Sequence, residues 1–259
     1  MQWLFSQQIV ASMRIKAFIV HLNRSTGRWP QVERLRTLLP MPVEVLPAID
    51  GRMLSDAGYH RVVRRSLHLP WYPFLLSKAE AACFLSHRMA WQRLLSDGLD
   101  GALILEDDVD FLTADAPRVV AAALERLQPE EWIRLPFRDR GESGPVVRHG
   151  DGTVVIEPQM PGRGMLMQAV GPEAARRLLA ASDVFDRPVD SFLQMQWVHA
   201  ARVLSMRPIV ICHIDHLLGG TELHDRHRGL ADRAYREVCR PILRLSMHSA
   251  NRQWRRRAA

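Results

Sequence analysis

Gly101-Ala102-Leu103-Ile104-Leu105-Glu106-Asp107-Asp108 is an unbroken apolar run that ends in three carboxylates. A short apolar run with an acidic stop reads as a buried strand. In open α/β sheets, ligands bind outside the carboxyl ends of such strands. Three adjacent carboxylates repel one another unless a proton or cation compensates, and oxygen ligands suit a hard ion such as Mg²⁺ or Mn²⁺. A solvated acidic turn is the plain alternative, and the buried strand before it is what raises the metal reading to even odds.

Upstream, Ser77–Leu95 is the clearest helix. Ser77 is a good N-cap, and Glu80 stands where a capping box needs it. At 100° per residue Glu80, Cys83, Phe84, His87, Trp91, Leu94 and Leu95 share one face. Glu80 and His87 lie two turns apart, roughly 10 Å by helical rise. Burying either without a partner costs a few kcal/mol, so a shared pocket competes with two bland readings, a core histidine and a helix cap. Further upstream, Ile15–Leu22 reads as a strand, Arg28–Leu39 as a helix and Val43–Ile49 as a second strand ending in the Asp50-Gly51 turn. Residues 52–76 are read as irregular. Downstream come a helix at Asp115–Leu127, a strand at Trp132–Phe137, a hairpin at Val146–Ile156, a strand at Gly164–Val170, a helix at Pro172–Ala181, a short helix within 189–201, and one strand, Val203–His213, interrupted by Pro208. Strands alternating with helices imply an α/β fold with a mostly parallel sheet flanked by helices.

Two blocks in this order, Glu80-Ala-Ala-Cys-Phe-Leu-Ser-His87 and Ile104-Leu-Glu-Asp-Asp-Val109, resemble the glycosyltransferase family 25 pattern, which reads approximately G-E-x-G-C-F-x-S-H and I-L-E-D-D-V. Weaker matches are His21-Leu-Asn-Arg-Ser-Thr-Gly-Arg28, Ala48-Ile-Asp-Gly51 and Pro188-Val-Asp190. The resemblance covers roughly residues 15–215. The chain departs from the pattern at Ala79 and Ala82, where the family has glycine, and at Met165-Leu-Met-Gln168, where it has a tyrosine-rich strand. Those last departures bear on the substrate more than on the reaction.

The resemblance implies a GT-A-like single domain with a Rossmann-like sheet, a nucleotide-sugar donor (UDP-linked) and an inverting transfer of a hexose, with galactose expected. Glu106 and Asp108 would then hold Mn²⁺ or Mg²⁺ on the donor diphosphate, with His213 or His216 completing the site. Asn23, Arg24, Arg28, Asp50, His87 and Asp107 would bind the donor. The catalytic base would be Asp190, with Glu80 as the runner-up. Surface solvation is the alternative for the two arginines, and a helix N-cap for Asp190. His213-x-Asp215-His216, with His224 and His227 beyond, partly matches a metallo-hydrolase motif, but that motif needs a histidine where Ile211 stands.

Composition supplies the remaining limits. In 259 residues, 47% hydrophobic and 24% charged is ordinary for a globular chain. No apolar run reaches the ~18 residues of a membrane span. Cys83, Cys212 and Cys239 form no CxxC pair, so neither a zinc cage nor a disulfide framework is expected, and a reducing compartment is. Met1–Ser12 lacks a basic n-region, so no signal peptide is expected, and Met13 is a candidate start. The net charge of +7 is localised: residues 1–232 carry 27 bases and 27 acids, whereas 233–259 carry eight arginines and only Glu237. With no basic stripe interleaved with aromatics in the body, nucleic acid is not the expected partner. The tail, with Ala234, Tyr235, Val238, Ile242 and Leu245 on one side and Arg233, Arg236, Arg240 and Arg244 on the other, suits an anionic membrane surface. A helix packed on the domain competes equally, with Pro241 expected to kink or split it. The expected organisation is an N-terminal extension (1–12), a catalytic domain (13–228) and a basic helix and tail (229–259). The expected location is cytoplasmic, peripheral on the inner face of the membrane, with a glycan or lipid-linked acceptor. A catalytically inactive family member, or a basic protein binding nucleic acid or a membrane surface, is the rival reading.

Overall fold

The strand ending in the three carboxylates closes one side of a three-strand parallel block. In a computed structural model that describes residues 13–150, 152–218 and 230–258, β1 (Ile15–His21) pairs in parallel with β2 (Val43–Pro47) on one side and β3 (Gly101–Glu106) on the other. Ala102, Leu103, Ile104 and Leu105 are fully buried, because helices cover both faces of the sheet. At ~1.5–3 kcal/mol for each fully buried large side chain, this strand is fixed by its apolar content alone.

The eight-stranded sheet has the order β2-β1-β3-β8-β5-β9-β7-β6. Its remaining strands are β5 (Glu131–Arg134), β6 (Val146–Gly150), β7 (Thr153–Ile156), β8 (Met167–Val170) and β9 (Arg202–Arg207). β8 runs antiparallel to both β3 and β5, and β7 antiparallel to both β6 and β9. Six of the eight strands therefore share one direction, as the mostly parallel expectation requires. β7 is the return arm of a tight hairpin, which forces antiparallel pairing with β6, and β8 runs in the same direction as β7, inserted between β3 and β5.

The helices are α1 (Trp29–Leu38), α2 (Asp56–Val62), α3 (Lys78–Ser96), α4 (Ala116–Glu125), α5 (Pro172–Ala180), α6 (Val189–Phe192), α7 (Gln196–His199) and α8 (Leu230–Ala258). α3 has the capping box read from its sequence: the Glu80 backbone N–H donates to Ser77 Oγ at 3.1 Å, and the Ser77 N–H donates to Glu80 Oε2 at 2.8 Å. Its buried face carries Phe84, His87, Trp91 and Leu94. Phe84 stacks on Phe185 with ring centroids 4.0 Å apart, tying α3 to the segment before α6.

Three readings of local structure are corrected. Residues 52–76 hold a helix, α2, whose N-cap Ser55 Oγ accepts the Gly58 N–H. Being short and without a buried residue, it leaves no periodic trace. The rest of that stretch is pinned by one buried ion pair, Asp186–Arg187: Asp186 accepts the His68 N–H, and Arg187 donates to the carbonyls of His68 and Pro70. The expected strand 203–213 is two strands in different sheets, β9 and then β10 (Ile211–His213), which pairs with β4 (Val109–Phe111). Pro208 has no N–H for a ladder, so the chain leaves the main sheet there. Finally, Pro241 does not split the last helix, since α8 runs through it. Leu243, Met247 and Asn251 are buried against the body, and that packing offsets the hydrogen bond Pro241 cannot make. His224 and His227, and the 1–12 extension, lie outside the described residues.

Candidate active site

The crossing from β9 to β10 builds the centre of the site. β10 lies antiparallel to β4 with His213 opposite Val109, and the Ile214 N–H donates to the Asp108 carbonyl at 2.8 Å. This places His213 Nε2 3.3 Å from Asp108 Oδ2 and His213 Nδ1 3.3 Å from Asp215 Oδ1. The hydrogen bond to Asp108 raises the His213 pKa against the opposing effect of burial. Asp108 itself is 5% exposed. Its Oδ2 also accepts from Arg28 at 3.2 Å, but its Oδ1 is buried with no hydrogen-bond partner among the described residues. An unpaired buried carboxylate oxygen costs ~1–3 kcal/mol or more, and a cation would remove that cost. By donor chemistry, Asp108, Glu106 and His213 suit a hard or borderline divalent ion; of the three, the structure brings His213 and Asp108 into direct contact, and Glu106 lines the same cleft.

Asp107 is committed differently. Its Oδ2 lies 2.6 Å from His21 Nδ1 and its Oδ1 accepts from Arg28 at 2.6 Å. Burial opposes the charge on Arg28, but Asp107 and Asp108 outweigh it and the pKa is raised. Arg28 is therefore engaged with the acidic turn that the sequence reading set it beside, rather than held open toward a phosphate. Arg24 donates to Asp50 at 2.6 Å, and Asp50 is held below the usual carboxylate range by the Arg52 N–H first and Arg24 second.

These groups line one cleft of about 790 Å³. Arg24, Arg28, Asp50, Glu80, His87, Glu106, Asp107, Asp108, Asp190 and His213 all face it. Asn23 is exposed and is not among the lining residues, so the structure does not bring it to the others. Asp190 is not the N-cap of its helix. Pro188 holds that position, and Asp190 sits inside the first turn of α6 with only the neighbouring Ser191 hydroxyl donating to it at 3.3 Å. Glu80 reaches the cleft while its Oε2 closes the capping box.

His87 is buried, and the network around it fixes its tautomer. The Trp132 indole N–H donates to Gln168 Oε1, which turns the Gln168 amide nitrogen toward His87 Nδ1 at 3.1 Å. Nδ1 thus accepts, and the proton of the neutral ring sits on Nε2, 3.5 Å from Glu106 Oε1. Cys83, His87 and Glu106 also have ligand atoms within 4.8 Å of one another. That set fits a metal less well: the His87 Nε2 lone pair is taken by a proton, and burial followed by the charges of Glu106 and Asp190 holds the Cys83 thiol well above its ordinary pKa.

Sequence reasoning missed several residues in or behind the cleft. His21 is buried and holds Asp107 without itself lining the cleft; it belongs to a strand and to the His21–Arg28 match, but nothing in its spacing marks it as the partner of Asp107. Tyr72, on the loop pinned by Arg187, lies close enough to Glu80 and Asp190 that they add to burial in raising its phenol pKa. Phe137 packs against the His213 ring at 5.9 Å. Arg138 and Arg163 line the cleft, as do Arg236 and Arg240 of α8. The surplus of arginine in the sequence is the available signal, and the net charge alone locates it in the tail.

The sequence is similar to known proteins. Residues 14–139 match the family model described as "Glycosyltransferase family 25 (LPS biosynthesis protein)". A "Glycosyltransferase 25 family member" of Drosophila melanogaster is 30% identical over 190 residues, covering 70% of this chain and 30% of that protein. "Procollagen galactosyltransferase 1" of Danio rerio is 30% identical over 101 residues, covering 37% and 16%. "Inactive glycosyltransferase 25 family member 3" of Mus musculus is 27% identical over 195 residues, covering 70% and 32%. The chain thus spans about a third or less of the length of the curated relatives it matches. A solved glycosyltransferase involved in glycosylation of the major capsid of PBCV-1 aligns over 64% of each chain at a TM-score of 0.34 and 10% identity, too distant to carry an argument.

Proposed function

We propose, from the match of residues 14–139 to glycosyltransferase family 25, that this chain is a member of that family and a metal-dependent, inverting glycosyltransferase. In this reading it moves a hexose, galactose by preference, from a UDP-sugar to a lipopolysaccharide, lipooligosaccharide or other glycan acceptor. The observation that carries the reading is the buried, unpartnered Oδ1 of Asp108 in an acidic cluster at the carboxyl end of β3.

The chain's own residues divide the work. Asp108, Glu106 and His213 would hold Mn²⁺ or Mg²⁺. When bound, that ion neutralises charge building on the departing diphosphate. Arg28 and His21 lock Asp107, so that the acidic turn presents Asp108 and Glu106 in one orientation. The Arg24–Asp50 pair at the mouth of the cleft contacts the nucleoside. His87, with its Nε2–H fixed by Gln168, donates to Glu106 or to a donor hydroxyl. Asp190 takes the proton from the acceptor hydroxyl as that oxygen attacks the anomeric carbon, while the bond from that carbon to the diphosphate breaks. Glu80 is the weaker candidate for the base, because its carboxylate also closes the cap of α3.

The outward side of α8 gives a place for membrane association. Val238, Ile242 and Leu245 are 63%, 59% and 72% exposed, and exposed Arg252 and Arg256 continue the same side of the helix. An apolar ridge extended by arginines suits an anionic bilayer surface, and this supports the reading of an enzyme at the cytoplasmic face of a membrane with a lipid-linked acceptor. Among the described residues no helix is long and apolar enough to cross a membrane.

The test is donor hydrolysis across UDP-, GDP- and CMP-sugars, with Mn²⁺ and with chelator. Turnover of a UDP-sugar that chelator abolishes is expected. No turnover with any donor, together with intact UDP binding, would favour the second reading, a non-catalytic homologue like the murine relative named inactive.

A further inference from the structure

The cleft has a positive end as well as an acidic one, and the two meet at Phe137. One side of that ring packs on His213, the partner of Asp108. The Arg138 guanidinium lies 4.8 Å from the centroid of the same ring. Arg163 arrives on a segment pressed against Phe137: at Gly164, with φ +105°, a Cβ would come within 2.4 Å of the ring. Arg138 and Arg163 line the cleft with Asp190, and Arg236 and Arg240 line it from α8. Arg140 is close enough to feel the group: after burial, the positive charges of Arg138, Arg134 and Arg163 push its pKa down, and only Asp190 opposes them.

Most arginines of the body are neutralised. Arg134 pairs with Glu142 at 2.7 Å, Arg148 with Glu131 at 2.5 Å, and Arg202 with Glu157 at 2.9 Å. Arg138, Arg140 and Arg163 have no carboxylate partner among the described residues. Converging guanidinium groups without an anion repel one another, and their planar forks match phosphate and carboxylate oxygens. The position also matters. Arg138 and Arg163 line the cleft with Asp190, the proposed base, whose charge reaches Arg140, whereas the donor diphosphate is assigned to the carboxylate end.

We propose that Arg138 and Arg163 form an anion subsite for the acceptor, so that the acceptor is an acidic sugar, one bearing a phosphate or a carboxylate near the hydroxyl that is glycosylated. This rests on the reading of the cleft as a glycosyltransferase site, and it narrows the acceptor class within it. A neutral acceptor would leave the arginine cluster without a counter-charge.

Titration calorimetry with glucose 6-phosphate, glucuronate and glucose separates the cases, with Mn²⁺–UDP measured in parallel. At least one acidic sugar should bind tenfold or more tightly than glucose. Raising NaCl from about 0.05 to 0.5 M should weaken that binding several-fold without affecting glucose. Arg138→Gln/Arg163→Gln should abolish the preference while Mn²⁺–UDP binding and the melting temperature stay unchanged. No preference for either acidic sugar, or a preference that survives the double substitution, overturns the proposal. So does an equal loss of Mn²⁺–UDP binding, which would assign the arginines to the donor. The salt series uses only the wild-type chain and decides the matter if the double variant fails to fold. Failure of Mn²⁺–UDP to bind the wild type would instead overturn the glycosyltransferase reading itself.

Discussion

Asp190 and Glu80 are both carboxylates in one cleft, but they are not equivalent. Glu80 has a structural duty in the cap of α3, worth ~1 kcal/mol, whereas Asp190 has only the weak Ser191 contact. Asp190→Asn should therefore lower kcat by 10²–10⁴ with little change in melting temperature. Glu80→Gln should lower kcat less and cost a measurable part of a kcal/mol in stability. Steady-state kinetics paired with thermal melts check both, and the reverse pattern would exchange their roles. His199 gives a second prediction at this scale. It is buried against Phe192, its Nδ1 accepts the Ala201 N–H, and its Nε2–H donates to the Leu193 carbonyl. Burial pushes its pKa down to about 4. The unfolded state takes up the proton near pH 6.5 and the folded state only near 4, so the contribution to stability is whole above pH 6.5 and is lost as pH falls toward 4. Chemical denaturation should show about one proton taken up on unfolding across that window, a loss of roughly 3 kcal/mol by pH 4. His199→Gln should remove that slope.

At the scale of elements, α8 shows how far amphipathic patterning goes. The sequence divides Tyr235, Val238, Ile242 and Leu245 from the arginines correctly. It does not say which side meets the protein. In the fold the body takes Leu243, Met247 and Asn251, with the Asn251 amide donating to the Gln194 carbonyl at 2.8 Å, and Arg255 donating to the Pro158 carbonyl at 2.9 Å. Arg236 lies over the Phe74 ring at 4.6 Å. The apolar side faces outward. Deleting 233–259 would therefore uncover core as well as remove a membrane contact, which makes it a poor test of membrane binding. Val238→Ser/Ile242→Ser/Leu245→Ser is the cleaner one. It should abolish sedimentation with phosphatidylglycerol-containing liposomes and leave the melting temperature within a few degrees. Met247→Ala, on the inner side, should cost 2–5 kcal/mol. Liposome binding that survives the triple substitution would assign the outward ridge to something other than a bilayer.

For the whole molecule, what was legible followed from short-range physics. β3 is an apolar run, α3 carries its own cap, and the hairpin has its turn, so each announces itself within a dozen residues. The pairing of β3 with β1, and thus the acidic turn beside Arg28, follows from the α/β alternation. The remainder depends on contacts between segments far apart in the chain. His213 reaches Asp108 only because Pro208 sends the chain out of the main sheet to β4. Tyr72 reaches the cleft only because Arg187, more than a hundred residues later, holds the 68–70 carbonyls. Gln168 fixes His87 only through Trp132. None of these has a periodic or spacing signal. The excess of arginine was visible as a count, but its division between an outer helix and a cleft wall required the fold.

These scales meet at Asp108, whose Oδ1 is buried and without a partner among the described residues while Arg28 and His213 hold Oδ2. Calorimetric titration of UDP, with Mn²⁺ present and with chelator, into the wild type and Asp108→Asn tests that point most directly. The account predicts UDP binding that depends on Mn²⁺ in the wild type and is weakened at least tenfold in Asp108→Asn, with both proteins equally folded. UDP binding of equal strength in all four combinations would contradict it.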